Sequence, residues 1–139
     1  MGSTAVGPNY LLDKTFLVAT GTTITGYQVV RGAAAGTCEL ATADDEPLLG
    51  VAQCDPNSDT TYVAGEAVRV RMMGLSKVQC AAAVTVYTRV HPIGLGLVDD
   101  GNPGTAADYF LGIAMEAGTN LFDVITVDLT SKNTQYFTS

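Results

Sequence analysis

The chain has 139 residues, of which 47% are hydrophobic and 15% are charged, and its formal net charge is −7. Its seven Lys and Arg residues are scattered, which argues against the clustered basic surface that nucleic-acid binding requires. No apolar run approaches the roughly 18 residues of a membrane-spanning helix, and residues 1–8 lack the features of a signal peptide. We therefore expect one domain, made in the cytoplasm without export, that binds neither nucleic acid nor membrane.

Residues 1–14 are predicted to form a flexible N-terminal arm. The segment opens with small and turn-forming residues and then carries Tyr10, Leu11 and Leu12. Apolar side chains on a flexible arm are unfavourably exposed to water unless they dock on a partner. These three residues are therefore candidate contacts with another protein, and strand addition through the main chain is the mode that suits them.

Residues 15–129 are predicted to form a β-rich body, followed by a polar tail at 130–139. Val and Thr favour strands, while 15 Gly and 5 Pro residues divide them into short segments. Residues 68–72 and 76–80, on either side of Gly74, are predicted to pair as a β-hairpin. Strands at a spacing of roughly 8–12 residues indicate an all-β sandwich or barrel.

An approximate internal repeat runs through this body. Residues 48–52 are echoed 62 residues later at 110–114, and residues 24–30 are loosely matched 60 residues later at 84–90. Each copy of the first segment leads into an alternating strand. The pattern predicts two related β-units packed together, which is typical of a scaffold that binds a partner.

The residues most often used in catalysis show no motif. Cys38, Cys54 and Cys80 are odd in number and widely spaced, which indicates small buried side chains and not disulfides or zinc ligands. His91, before Pro92, is predicted to be a loop residue, because no third group is evident that would orient it as a base for Cys54 or Cys80. We predict no enzymatic activity, no cofactor and no catalytic residue.

Two acidic segments are candidate cation sites. Asp44, Asp45 and Glu46 are predicted to form a solvated loop, and Asp99 and Asp100 a tight turn that departs from the calcium-loop pattern. No metal site is predicted, although a weak cation site at either segment stays open as an alternative.

The pattern of glycines and small residues resembles that of tailed-bacteriophage head decoration (capsid cement) proteins. The segments that carry the resemblance are residues 27–30, 41–44 with 50–52, 64–70 and 112–117 with the closing strand. The resemblance spans residues 15–129 and implies a compact β-tulip or small β-barrel. It also implies a homotrimer at three-fold and quasi-three-fold sites on the outer surface of the expanded capsid, where it would stabilise the shell.

The same resemblance implies that the partner is the major capsid protein and that Tyr10, Leu11 and Leu12 contact it. The high apolar content of a small domain also favours a homotrimer, since few charges are available to hydrate every face. The alternative is a β-sandwich binding module, carbohydrate-binding or tail-associated. The chain has no Trp and its six Tyr residues are dispersed, which argues against stacking on sugar rings.

Overall fold

The computed structural model describes residues 11–42, 47–54, 61–101 and 109–134. Regular structure in these ranges consists of β-strands and one short 3-10 helix at Leu129–Ser131. The strands are β1 (Leu12–Val18), β2 (Thr23–Thr25), β3 (Val29–Gly32), β4 (Thr37–Leu40), β5 (Leu48–Ala52), β6 (Thr61–Val63), β7 (Ala67–Met73), β8 (Leu75–Gln79), β9 (Arg89–Gly94), β10 (Leu97–Asp100), β11 (Gly112–Ala114) and β12 (Val124–Asp128). The predicted all-β class is confirmed. Within the same ranges, no helix has the length and hydrophobicity needed to span a lipid bilayer.

The first half of the chain forms a closed five-stranded barrel in the order β1-β4-β3-β5-β7. Its neighbours are antiparallel except β1 and β4, which close the barrel in parallel through Leu17 with Thr37 and Val18 with Cys38. Inward and outward side chains alternate, so that Val68 and Val70 are buried while the residues between and before them are exposed. The predicted small barrel is confirmed.

The second half forms a five-stranded antiparallel sheet in the order β10-β9-β11-β12-β8. Its two edges meet at a single parallel bridge between Cys80 and Val98. This bridge occupies the place of the β1–β4 closure in the first barrel. We call this half the second barrel, and β8, β9, β10, β11 and β12 correspond to β1, β3, β4, β5 and β7.

The sequence repeat is therefore a structural repeat. The Tyr27 amide donates to the Ala52 carbonyl at 2.6 Å, and the Tyr87 amide donates to the Ala114 carbonyl at 2.7 Å. Both tyrosines have positive φ angles, 69° and 64°. The same main-chain geometry is thus built twice at positions 60 residues apart.

Equivalent residues fill the two interiors. The buried cluster of the first barrel contains Val18, Ile24, Val30, Cys38, Ala52, Val68 and Val70. Their counterparts in the second barrel all belong to the other buried cluster: Cys80, Val84, Val90, Val98, Ala114, Ile125 and Val127. That second cluster also takes in Val29, Ala41, Leu48 and Val51 from the first half. The two barrels therefore pack on each other through a continuous apolar contact.

The predicted hairpin around Gly74 is wrong. β7 pairs with β1 and β5, whereas β8 pairs with β12. One residue, Gly74 with φ of 96°, links them, and a tight hairpin needs a connection of at least two residues. Gly74 instead carries the chain from the first barrel to the second.

Candidate functional site

Of the sequence candidates for chemistry, His91, Cys38 and Cys80 are buried. His91 belongs to β9 and is 7% exposed, so its predicted placement in a loop is wrong. The extended geometry that Pro92 imposes on the preceding residue suits a strand. The His91 ring packs edge-on against Phe110, with ring centres 6.2 Å apart. His91 is therefore a packed, buried side chain.

Cys38 and Cys80 are buried, as the sequence predicts, whereas the predicted burial is wrong for Cys54, which is partly exposed. Burial, chiefly, raises the pKa of both buried thiols to about 11, with nearby carboxylates adding to the effect. A thiol with that pKa carries little thiolate at neutral pH, and thiolate is the nucleophilic form.

We expect a thiol reagent such as DTNB to modify Cys54 rapidly in the native protein at pH 8, while Cys38 and Cys80 react only after unfolding. At that pH a pKa of about 11 leaves on the order of 0.1% thiolate, and burial also blocks access. The measurement is the absorbance of released thionitrobenzoate with and without guanidinium chloride. Rapid release of more than one equivalent from folded protein would contradict it.

Of the three apolar residues predicted in the arm, the structure describes Leu11 and Leu12. Tyr10 lies outside the described residues. Leu11 and Leu12 are 52% and 51% exposed, and Leu12 opens β1 opposite Met73. β1 therefore begins inside the segment predicted as the arm. Leu11, Leu12, Met73 and Leu75 are all about half exposed, and Met73 and Leu75 flank Gly74, where the chain crosses between the barrels.

An ion-pair cluster explains why β1 begins so early. Asp13 Oδ1 accepts from Arg71 Nε at 2.9 Å, and Asp13 Oδ2 accepts from Arg71 Nη2 at 3.1 Å. Arg69 Nε lies 3.3 Å from the same carboxylate. The hydrogen bonds from Arg71 lower the pKa of Asp13 below its usual 3.8, and the charges of both arginines assist. This bidentate pair fixes β1 on β7.

Replacing Asp13 with asparagine should destabilise the protein by about 1–2 kcal/mol at pH 7. Since the pKa of Asp13 is lower in the folded protein than in the unfolded chain, the pair's contribution is present above about pH 3.8 and is lost as the pH falls below that value. Thermal unfolding at pH 7 and pH 2.5 measures the gap between wild type and D13N. An equal gap at both pH values would show that the charge of Asp13 does not matter.

Of the two acidic segments, the structure describes only Asp99 and Asp100. Asp44, Asp45 and Glu46 lie outside the described residues. Asp99 and Asp100 end β10, so the tight turn predicted at these two residues is wrong, and residues 102–108 lie outside the described residues. The Asp100 carboxylate accepts from the Thr85 amide at 2.8 Å. Among the residues described, no group of three or more His, Cys, Asp or Glu side chains is placed to hold a metal ion.

A pocket of about 280 Å³, lined by both halves of the chain, lies where the two barrels meet. We call it the junction pocket; it is lined by Tyr27, Gln53, Arg71, Leu75, Ser76, Lys77 and Thr126. This pocket has no local signal in the sequence, because its residues come from segments that are far apart in the chain and meet only through the topology. At its base, the Gln53 amide nitrogen donates to the Ser76 hydroxyl at 2.9 Å.

No protein-family model and no curated protein matches this sequence. Among solved structures, the chain is similar to the N base of head fiber gp8.5 of bacteriophage phi29, with a TM-score of 0.59 and 11% sequence identity. The similarity covers 91% of this chain and 100% of that chain. At this level of identity the likeness concerns the fold, so this chain and the phi29 head-fiber base share a common β architecture.

Proposed function

We propose that this protein is a structural protein of a phage virion, attached to the head. The observation that carries the proposal is the fold, which matches the base of a phage head fiber across 91% of the chain. The resemblance of the glycine pattern to head decoration proteins supports the same location from the sequence. Both point to a small β-body that binds a protein shell.

We further propose that the protein sits on the outer surface of the expanded capsid as a homotrimer, at three-fold and quasi-three-fold sites, and stabilises the shell. Its exposed apolar side chains support this, because large apolar side chains are unfavourably exposed to water unless a partner covers them. Three of the most exposed are Tyr87, Leu95 and Phe122, at 73%, 68% and 59%. All three also have positive φ angles, a strained backbone for bulky residues.

The repeat adds to this argument. Phe122 occupies the place that Gly65 holds in the first barrel: the amide of Phe122 donates to the Cys80 carbonyl, and the amide of Gly65 to that of Val18. Glycine adopts a positive φ without strain. An exposed phenylalanine at this turn is unfavourable for the isolated chain, which fits a role in binding. We also propose that no residue of the protein is catalytic; His91, Cys38 and Cys80 are buried away from solvent.

The test is to mix purified protein with expanded heads of the phage whose genome encodes it, and with unexpanded heads as a control. Co-sedimentation and cryo-electron microscopy should show saturable density on the outside of expanded heads, three copies at each site. Heads carrying the protein should release DNA at a higher temperature than bare heads. An absence of binding would overturn head attachment, and density for isolated single copies would overturn the trimer.

A further inference from the structure

The two barrels of one chain already show how this fold docks on a copy of itself. On the first barrel, Gly26 is buried and Tyr27 is partly buried. Strand β8 of the second barrel lies against both: the Gln79 main-chain amide donates to the Tyr27 carbonyl at 2.9 Å, and the Gln79 side-chain amide donates to the Gly26 carbonyl at 2.8 Å. Together with Gln53, whose side chain donates to Ser76 of β8, Gly26 and Tyr27 form a surface that we call the receiving face.

The repeat builds the same receiving face on the second barrel, where it is exposed. Val86 and Tyr87 stand 60 residues after the first two members of that face, and they are 37% and 73% exposed. Equivalent main-chain hydrogen bonds identify Met115 as the counterpart of Gln53. Met115 is 41% exposed, whereas Gln53 is 5% exposed. The same surface is therefore covered on one barrel and open on the other.

The strand that corresponds to β8 is β1, and its matching residue is Leu17. The amides of Val18 and Cys80 make equivalent hydrogen bonds to the turns that precede β7 and β12. The residues just before them, Leu17 and Gln79, therefore occupy the same place in the two barrels. Leu17 is 47% exposed, so its side chain is available to cover a receiving face, as Gln79 does within the chain.

A turn beside this strand repeats a second contact between the barrels. Gly96 of the second barrel inserts its main chain between two residues of the first: the Val29 amide donates to the Gly96 carbonyl, and the Gly96 amide donates to the Ala41 carbonyl. The counterpart of Gly96 is Gly36, with a φ angle of 77° against 70°, and the turn at 33–36 is exposed throughout. The β1–β4 side of the first barrel therefore presents the main-chain outline that the second barrel uses to dock.

The side chains of the two exposed surfaces differ from those of the covered contact in a complementary way. Within the chain the contact is polar, with Gln79 on β8 and Gln53 on the receiving face. On the exposed surfaces, Leu17 replaces Gln79 and Met115 replaces Gln53. A surface that faces only water would be expected to be the more polar of the two copies. Apolar side chains on both surfaces instead favour burial of one against the other.

Arg89 is compatible with the same contact. It stands in the place of Val29, which is buried between the barrels, and it is exposed. Across the contact it would meet the main chain of the turn at 33–36, because Val29 meets the main chain of Gly96. Main-chain carbonyls accept hydrogen bonds from a guanidinium group.

We propose, on the basis of the homotrimer proposed above, that its copies meet through these two surfaces. Leu17 and the turn at 33–36 of one copy dock on the receiving face of the second barrel of its neighbour, in the arrangement that the two barrels have within one chain. Because two different surfaces meet, the contact closes into a ring or extends into a filament. In the trimer it closes a ring to which each chain contributes two barrels.

The test is cross-linking between single-cysteine variants of the full-length protein. Each variant also carries Cys54→Ser, since Cys54 is partly exposed while the other two native thiols are buried. Leu17→Cys and Val86→Cys are expressed separately and together, purified and treated briefly with a short bis-maleimide. A denaturing gel should show cross-linked dimers from the co-expressed pair and only monomers from either variant alone, because the two positions meet only across the contact.

A matched control and a charge variant make the result specific. Met73 is 49% exposed and lies at the other end of the first barrel from Leu17, so Met73→Cys should give no cross-link when co-expressed with Val86→Cys. One chain that carries both Leu17→Cys and Val86→Cys should give covalent dimers and trimers and nothing larger. Leu17→Glu should weaken self-association about tenfold or more, measured by light scattering across a dilution series, whereas Met73→Glu should leave it unchanged.

The proposal is overturned by cross-linking of Val86→Cys to itself, which would show that like surfaces meet, by an equal yield from the Met73→Cys control, or by a ladder of products that continues past the trimer. It is also overturned by unchanged association of Leu17→Glu, or by a purified protein that stays monomeric and gives no cross-link. All of these measurements use the protein without phage heads. Their failure and a failure to bind heads are therefore distinguishable.

Discussion

Replacing Gly112 with alanine is expected to destabilise the protein by about 3–5 kcal/mol, and replacing Gly50 should have the same effect. A Cβ atom at Gly112 would overlap the carbonyl oxygen of Asp128 on β12, and one at Gly50 would overlap the carbonyl oxygen of Arg71 on β7. In both cases the obstacle is main chain within a sheet, which cannot rotate away as a side chain can. Typical domains have only about 5–15 kcal/mol of net stability, so either variant should unfold at a much lower urea concentration.

Gly32→Ala is the matched control for these two variants. Gly32 also lies in a barrel strand, and no atom lies within 4 Å of the position its Cβ would take. Its replacement should change stability by no more than about 0.5 kcal/mol, as for ordinary surface substitutions. If Gly50→Ala and Gly112→Ala unfold at the same urea concentration as Gly32→Ala, the close approach of the strands at these two glycines does not constrain the fold.

These two glycines also show what could be predicted from the sequence. Both are the central residue of the repeated segments at 48–52 and 110–114, and the structure gives both the same strand contact. Strand period, glycine position and the offset of about 60 residues are local or self-similar patterns, so they are visible in one sequence. They were enough to predict an all-β body of two related units.

Strand pairing could not be predicted in the same way. Residues 68–72 and 76–80 have strand-like alternation and are separated by three residues that include Gly74, so the local pattern favours a hairpin there. Their true partners, β1 and β5 for the first and β12 for the second, are chosen by burial of side chains from distant segments. The junction pocket depends on the same non-local pairing, because β7, β8 and β12 each contribute to it, together with Tyr27 before β3 and Gln53 after β5. A single sequence contains no direct record of those contacts.

The end of the arm could not be predicted from local sequence either, because a contact between distant segments determines where β1 begins. Turn-rich composition placed the end of the arm at residue 14, whereas β1 begins at Leu12. The group that holds this strand is Asp13, and its partners Arg69 and Arg71 are more than fifty residues away in the chain. A lone Asp between Leu12 and Lys14 gives no indication that it will form a bidentate ion pair.

This position of β1 determines how attachment through the arm should be tested. Removing residues 1–10 and replacing Leu11 and Leu12 with serine should leave folding and oligomeric state intact, because the ion pair at Asp13 is retained. We expect binding to expanded heads to weaken by two to three orders of magnitude. A loss of about 1.4 kcal/mol per arm is tenfold, and the losses of three linked arms multiply.

The energy of one arm is consistent with that estimate. Leu11 and Leu12 are about half exposed, so docking could cover on the order of 200 Å² of apolar surface, worth about 5 kcal/mol at 25 cal/mol per Å². The loss of side-chain freedom and of translational and rotational freedom on association would offset most of this gain. A single arm would then bind weakly, and tight attachment would depend on three arms acting together.

The control for this variant is Val63→Ser, which removes an apolar side chain of similar exposure, 51%. Val63 ends β6, next to the turn where the Gly65 amide donates to the Val18 carbonyl, at the opposite end of β1 from Leu12. It should bind heads as the wild type does, measured by co-sedimentation across a dilution series. If the arm variant also binds at unchanged affinity and occupancy, the arm is not the anchor, and the shell must be contacted by the body of the two barrels.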